Sequence, residues 1–306
     1  MSRWLVVGSG GMLGQDVVAT LTAEGRDVTG LTRRDLDITD GAAVRAAVRA
    51  ARPDVVVNCA AWTAVDDAET HEDQAYQVNA AGAAHLAEAC AAGRGDGQTR
   101  LVHISTDYVF SGDARTPYAE HAPAAPRTAY GRSKLAGEQA VLRLLPSAGY
   151  VVRTAWLYGA HGSNFVVSTI RLERERPALD VVDDQRGQPT WTVDVARQVV
   201  ALVGSGGAAG IFHATSSGEA TRYDLAREVF SLLGADPDRV RAATSSAAFV
   251  RPAPRPAYSV LGHDGWARVG VEAIGDWRPA LRRAFPALAR AAGAAAWSLR
   301  FGHPTR

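Results

Sequence analysis

Leu5-Val6-Val7-Gly8-Ser9-Gly10-Gly11-Met12-Leu13-Gly14 holds a strand, a tight turn and a helix start in one stretch near the head of the sequence. A short apolar run meets a glycine cluster, and an alanine-rich amphipathic stretch follows. Without β-carbons at Gly8, Gly11 and Gly14 the backbone can turn sharply and approach a pyrophosphate, while the amino end of a helix starting at Met12 offers free amides and a favourable dipole. A glycine cluster alone is weak evidence. Between a hydrophobic strand and an amphipathic helix it points to dinucleotide binding.

The same alternation repeats along the chain. Leu5–Val7, Val28–Leu31, Val55–Val57, Leu101–Ile104 and Tyr150–Val152 read as strands, and Met12–Ala23, Ala42–Ala51, Ala75–Ala91 and Tyr130–Leu145 as helices. This is the pattern of an α/β, Rossmann-type doubly wound parallel sheet. Right-handed crossovers bring the loops after the strands to one crevice at the carboxyl edge. After about Ala155 the pattern loosens into Gly-, Pro- and Arg-punctuated segments, although Val195–Val203 and Ile211–Ala214 still read as a helix and a strand of the first lobe. The expectation is a dinucleotide-binding domain over 1–155 plus about 191–215, and a smaller discontinuous substrate-binding lobe over about 156–190 plus 216–306. Residues from Arg290 to Arg306 read as a terminal helix that frays into a tail.

Over 306 residues the composition is 47% hydrophobic and 21% charged, enough to bury a sizeable core. The net charge of +1 supplies no overall field to recruit nucleic acid or an acidic membrane, so basic residues are local tools. Cys59 and Cys90 fall in a strand-like run and an alanine-rich helical run, which reads as two buried reduced thiols. Trp4 to Val7 is too short for a signal or spanning segment, so cytoplasmic residence is expected.

The end of the second strand reads Leu31-Thr32-Arg33-Arg34. With no carboxylate at 32 and two guanidiniums following, a 2′-phosphate would be welcomed, so NADPH is expected over NADH, which stays the alternative. Asp37 and Ile38 are placed to line the adenine side. Asn58 to Asp66, after the third strand, supplies small residues where backbone must pass close to a cofactor. The chain has three asparagines, Asn58, Asn79 and Asn164, and each falls in a candidate site segment.

Ser105-Thr106-Asp107 ends the fourth strand, so a hydroxyl at 105 or 106 should emerge at the crevice mouth. Tyr130 and Lys134 stand four residues apart, one helical turn, so phenol and ammonium share a face. Lys134 is the sole lysine beside 32 arginines, since 33 Lys+Arg less one leaves 32. A compact ammonium can sit beside a phenol and lower its pKa where a planar fork cannot. Hydroxyl, phenol and ammonium together can polarise and protonate a carbonyl as hydride arrives. His103 reads as a packed histidine, since no His, Cys or carboxylate cluster has metal-site spacing, and no Gly-x-Ser-x-Gly elbow supports a serine hydrolase.

With these motifs in view, the chain resembles the extended short-chain dehydrogenase/reductases, and within them the dTDP-4-dehydrorhamnose reductase family. The closer resemblance runs through Leu36-Asp37-Ile38-Thr39-Asp40, Asn58 to Glu69, Ser105 to Phe110, Tyr130 to Glu138, Arg153 to Gly159, Asn164-Phe165, Asp184 to Thr190 and Arg255 to Leu261, most of the chain. It implies NADPH-dependent reduction of a dTDP-4-keto-6-deoxy sugar, with Tyr130 as proton donor and Lys134 on the nicotinamide ribose. Thr106 and Asp107 would contact the sugar, Trp156 would stack near the pyranose, Asn164 would lie on the substrate side, and Arg255 would meet the diphosphate. Gly11, Met12, Leu13, Asp37, Ile38, Ala60, Ala61 and Trp62 would contact the cofactor.

Some members have a magnesium-linked dimer that uses carboxylates near the first helix and after the Pro-Thr motif. Asp16 suits the first place, but Val193 stands at the second and cannot ligate a hard cation, so no metal is expected and a monomer or weak homodimer is. The alternatives are a sister reductase acting on another deoxysugar and a non-catalytic nucleotide-sensing subunit of the same fold. A dehydratase is disfavoured, because Tyr108 follows Asp107 where that chemistry needs a glutamate.

Overall fold

In the computed structural model, residues 2–93, 98–243 and 251–293 are described; the expected tail beyond 293 lies outside them. Five strands, β1 (Arg3–Val7), β2 (Asp27–Leu31), β3 (Val55–Asn58), β4 (Arg100–Thr106) and β5 (Gly149–Thr154), join the strand Gly210–His213 in one parallel sheet. The spatial order is β2, β1, β3, β4, β5 and then Gly210–His213. Chain order reverses between β1 and β3, which makes the carboxyl ends of these two strands the switch point where a doubly wound sheet opens its crevice.

Alternation along each strand feeds two helical layers. Trp4 and Val6 of β1, with Val55 and Val57 of β3, pack on one face against Leu13, Val17 and Leu21 of helix Met12–Ala23 and Val195 and Val199 of helix Thr192–Gly204. Leu5, Val7 and Val56 face the other way, onto Val44 and Val48 of helix Gly41–Ala51, Leu86 of helix Gly82–Ala91 and Val141 of helix Ala129–Leu144. Every residue of β3 is buried, as a central parallel strand requires.

A third cluster gathers Tyr158, Val166 and Ile170 with Leu225, Val229, Trp277, Leu281 and Phe285. Its helices are Phe165–Glu175, Arg222–Leu233 and Trp277–Ala291. Trp266 and Ile274 pack instead with the first cluster, and the Trp266 indole donates to His213 O at 2.8 Å. Among the described residues no helix is long and apolar enough to cross a membrane.

Strand and helix bounds match the sequence reading within a few residues, apart from the expected helix Ala75–Ala91. That stretch starts earlier, at Glu72, and contains a π-helical turn over Gln77–Ala81 before continuing as Gly82–Ala91. The turn carries Asn79, whose amide binds both backbone groups of Trp62, at 2.8 Å from N and 3.1 Å from O, and donates to Ser133 Oγ at 2.9 Å.

Under the sheet, Glu138 receives Arg153 Nη2 at 2.7 Å and Nε at 2.9 Å, and also Ser105 Oγ at 2.5 Å. Both charged side chains are almost fully buried, so removing one leaves the other desolvated and unpaired. Glu138→Ala is expected to lower the unfolding free energy by about 3–5 kcal/mol. Urea denaturation measures this, and a loss below about 1 kcal/mol would mean that Arg153 reaches water.

Candidate functional site

The turn after β1 is tied down by Gly8 N and Ser9 N, which donate to Leu31 O at 2.8 and 3.0 Å. Gly8 has a φ of 79°, and a β-carbon there would lie 2.5 Å from Ala60 N. At Gly14 a β-carbon would lie 2.2 Å from Gly8 O, so the helix can seat on the turn only with glycine there. No side chain caps this helix at Gly11, whereas Asp40 caps the next one through the amides of Ala42 and Ala43. The first amides of Met12–Ala23 are therefore left to a ligand.

A cleft of about 720 Å³ opens at this turn. Gly8 and Gly11 form its floor, Arg33 and Arg34 line it beside Asp37 and Ile38, and Ala60, Ala61 and Trp62 line a further stretch. Both arginines are exposed and stand on a turn fixed by Asp35, which accepts from Thr32 N at 2.8 Å and Oγ1 at 2.7 Å. Asp37 binds Thr39 N and Oγ1, and these bonds hold its carboxyl below its ordinary pKa. Met12, Leu13 and Gly14 put no side chain into the cleft. Leu13 is core, and Gly14 is pressed on Gly8.

Thr106, Asp107, Tyr130 and Lys134 are brought together and buried where β4 ends. Thr128 caps the helix bearing Tyr130 and Lys134, accepting from Gly131 N at 3.0 Å, and Glu69, which had no role of its own in the sequence analysis, accepts from Ala129 N at 2.9 Å. Along β4 the side chains alternate. Ser105 is therefore turned to Glu138, while Thr106 faces Tyr130 and donates to Asp107 Oδ1 at 3.0 Å.

Burial pushes the Tyr130 phenol above its ordinary pKa; the Thr106 hydrogen bond lowers it in part, and Asp107 and Tyr108 add to the rise. The expectation that Lys134 depresses this phenol is not met. Its amine donates to Ile104 O at 2.6 Å and meets His103 Nε2 at 3.2 Å, and burial lowers its pKa to about 8 against the pull of Glu138 and Cys59. His103 is packed as expected, but it is also a contact: its Nδ1 meets Asn58 Nδ2 at 3.0 Å. Asn58 in turn accepts from Ala60 N at 3.1 Å, so one buried chain links the cleft wall to the lysine. The half-buried Cys59 and buried Cys90 are both free thiols, each pushed to about 12 by burial.

Asp107 is 3% exposed, and its Oδ2 has no hydrogen-bond partner among the described residues. Burial raises its carboxyl to about 6, offset by the hydroxyls of Ser259 and Thr106 and the charge of Arg222. Trp156 is half-buried nearby, with the Arg222 guanidinium 3.6 Å from its ring centroid. Arg222 escaped the sequence reading. Arg255 is half-buried and ion-paired with Asp66 at 2.7 Å. Asn164 acts as a helix cap: Oδ1 accepts from Val167 N at 3.0 Å and Nδ2 donates to Gly159 O at 2.8 Å. Asp16, the carboxylate weighed for a metal, accepts from Thr192 Oγ1 at 2.5 Å.

Residues 2–290 match the family described as RmlD substrate binding domain. The chain is 57% identical to a dTDP-4-keto-6-deoxy-D-glucose reductase of Streptomyces niveus, covering 94% of this chain and 97% of that protein. It is 55% identical to a dTDP-4-dehydrorhamnose reductase of Streptomyces griseus, covering 95% of each. Among solved structures, the dTDP-4-dehydrorhamnose reductase of Bacillus anthracis in complex with NADP superposes with a TM-score of 0.87 at 36% identity, covering 93% of this chain and 99% of that one.

A β-carbon at Gly8 would force the first turn away from Ala60. Gly8→Ala is therefore expected to destabilise by about 1–3 kcal/mol and to weaken dinucleotide binding at least tenfold, as seen by thermal melts and cofactor titration. Unchanged cofactor affinity would show that the turn is not what holds the ligand.

Proposed function

Because the chain belongs to the dTDP-4-dehydrorhamnose reductase family, we propose that it reduces the 4-keto group of a dTDP-4-keto-6-deoxy sugar with NADPH, taking dTDP-4-dehydro-β-L-rhamnose to dTDP-L-rhamnose. The observation that carries this reading is the Thr106–Tyr130 pair beside a buried Lys134, which His103 and Asn58 link to Ala60 in the wall of the glycine-turn cleft. The cleft fits the cofactor. Gly8 allows close backbone approach, the uncapped helix offers amides to a pyrophosphate, and Arg33 and Arg34 give a 2′-phosphate its counter-charges.

When bound, NADPH supplies the hydride. The chain's residues then act on the oxygen of the carbonyl. Tyr130 donates its phenolic proton to the developing alkoxide, Thr106 orients that phenol, and Lys134 holds the ribose and steadies the phenolate that forms. Asp107, with Oδ2 free to accept, takes a sugar hydroxyl, and Trp156 bounds the ring's place. In this reading the cofactor domain spans 1–155 plus about 191–215 and the substrate lobe about 156–190 plus 216–306, as a monomer or weak homodimer.

A second reading is supported by the Streptomyces niveus relative, whose name specifies a different 4-keto sugar at similar identity. A panel of dTDP-4-keto sugars, followed by NADPH absorbance and by NMR of the product stereochemistry, separates the two.

Tyr130→Phe is expected to lower kcat by about 10²- to 10⁴-fold while leaving NADPH affinity intact. Near-normal turnover would remove the phenol from the mechanism. The double variant Arg33→Ala/Arg34→Ala should raise KM for NADPH and leave KM for NADH nearly unchanged, narrowing the preference about tenfold or more. An unaltered preference would assign cofactor choice elsewhere.

A further inference from the structure

Trp156 is a bulky residue with a φ of 48°, a left-handed conformation that costs free energy and persists where its surroundings over-determine it. Three contacts do so here. A β-carbon at Gly187 would lie within 2.8 Å of three Trp156 ring atoms, so the indole is pressed against bare backbone. Thr190 N donates to Trp156 O at 3.2 Å. Arg222 lies over the ring at 3.6 Å from its centroid, with Phe165 at 5.1 Å.

Arg222 itself is placed at a cost. It is the first residue of helix Arg222–Leu233, where a cation meets the positive end of the helix dipole. Burial lowers its pKa to about 10, and the neighbouring Arg255 and Arg251 push in the same direction against Tyr108 and Asp107. It forms no ion pair or hydrogen bond with the described residues. Arg255, by contrast, is already committed, donating to Asp66 at 2.7 Å and to Ala253 O at 2.9 Å. Asp66 also receives Arg251 at 3.2 Å and Ala253 N at 3.2 Å. The cation left over in this corner is Arg222.

We propose that Arg222, stacked on the Trp156 shelf, grips the diphosphate of the sugar nucleotide, and that Arg255 is the brace beside it. This rests on the reading that the substrate is a nucleoside-diphosphate sugar. A guanidinium held over an indole face needs no hydrogen bond to stay there, so its edge donors can match phosphate oxygens in pairs. The sugar and the pyrimidine are neutral and give three crowded guanidiniums no counter-charge. A diphosphate does. The dinucleotide's own pyrophosphate belongs to the glycine turn, so it does not compete for this corner. The assignment moves the diphosphate contact from Arg255, where the family resemblance put it, to a residue with no ion pair or hydrogen bond among the described residues.

The test is calorimetric titration of dTDP and dTMP into the NADPH-loaded protein. The wild type should bind dTDP more tightly than dTMP. Arg222→Met, which keeps an apolar stem on the indole, should weaken dTDP binding by about 10- to 100-fold and bring the dTDP-to-dTMP ratio towards one, with NADPH affinity unchanged. Arg255→Met should keep most of that ratio. If Arg222→Met fails to bind NADPH, Arg222→Lys decides: it retains charge without the planar fork and should give an intermediate ratio. A wild-type ratio in the folded Arg222 variant overturns the proposal and leaves the reductase reading standing. Wild-type protein that binds NADPH but neither nucleotide overturns both.

Discussion

The close approach of two backbones, the turn after β1 and the segment after β3, is the constraint on which the rest of the molecule depends. Parallel pairing sets Val7 level with Leu31 on one side and Asn58 on the other, so Gly8 emerges between β2 and β3 at the height of Cys59 and Ala60. The 2.5 Å that would separate a Gly8 β-carbon from Ala60 N leaves no room for any side chain. From that seat the helix starts at Met12 with Gly11 as its uncapped N-terminal neighbour in the cleft lining. Asn58 then ties Ala60 N to His103, and His103 touches Lys134, so the cleft wall and the corner that holds Lys134 share one buried frame.

The sequence displayed the sheet well because buried parallel strands read as unbroken apolar runs, and Val55-Val56-Val57 has nothing else to be. Local signals also announced the helix starting at Met12. What the sequence did not announce depends on segments meeting from far apart. The π turn at Gln77–Ala81 exists where Asn79 must reach both backbone groups of Trp62, seventeen residues away. Asn164 sits in a segment that resembles a substrate wall, yet it is drawn off to cap Phe165–Glu175. Arg222 looks like one more arginine among 32 until residues 156, 187 and 222 are assembled in space.

Burial acts on Tyr130 in a direction that suits a reductase. A proton donor must hold its proton until the hydride arrives, and a desolvated phenol with a raised pKa is fully protonated at neutral pH. The hydroxyl of Thr106 is the group that favours the phenolate, by a hydrogen bond that strengthens as charge develops. Lys134 therefore need not act on the resting phenol to matter in the transition state.

The single lysine follows from the same frame. Its slot is 2% exposed, with Ile104 O at 2.6 Å and an imidazole nitrogen at 3.2 Å, and desolvation lowers its pKa to about 8. An arginine there would bring five donors into a space that offers two partners, and its charge could not be shed to relieve the unpaired remainder. Lysine meets the same pocket with a point charge, near the pH at which it can give up its proton. In a chain that uses arginine at every other basic position, that slot alone requires an ammonium.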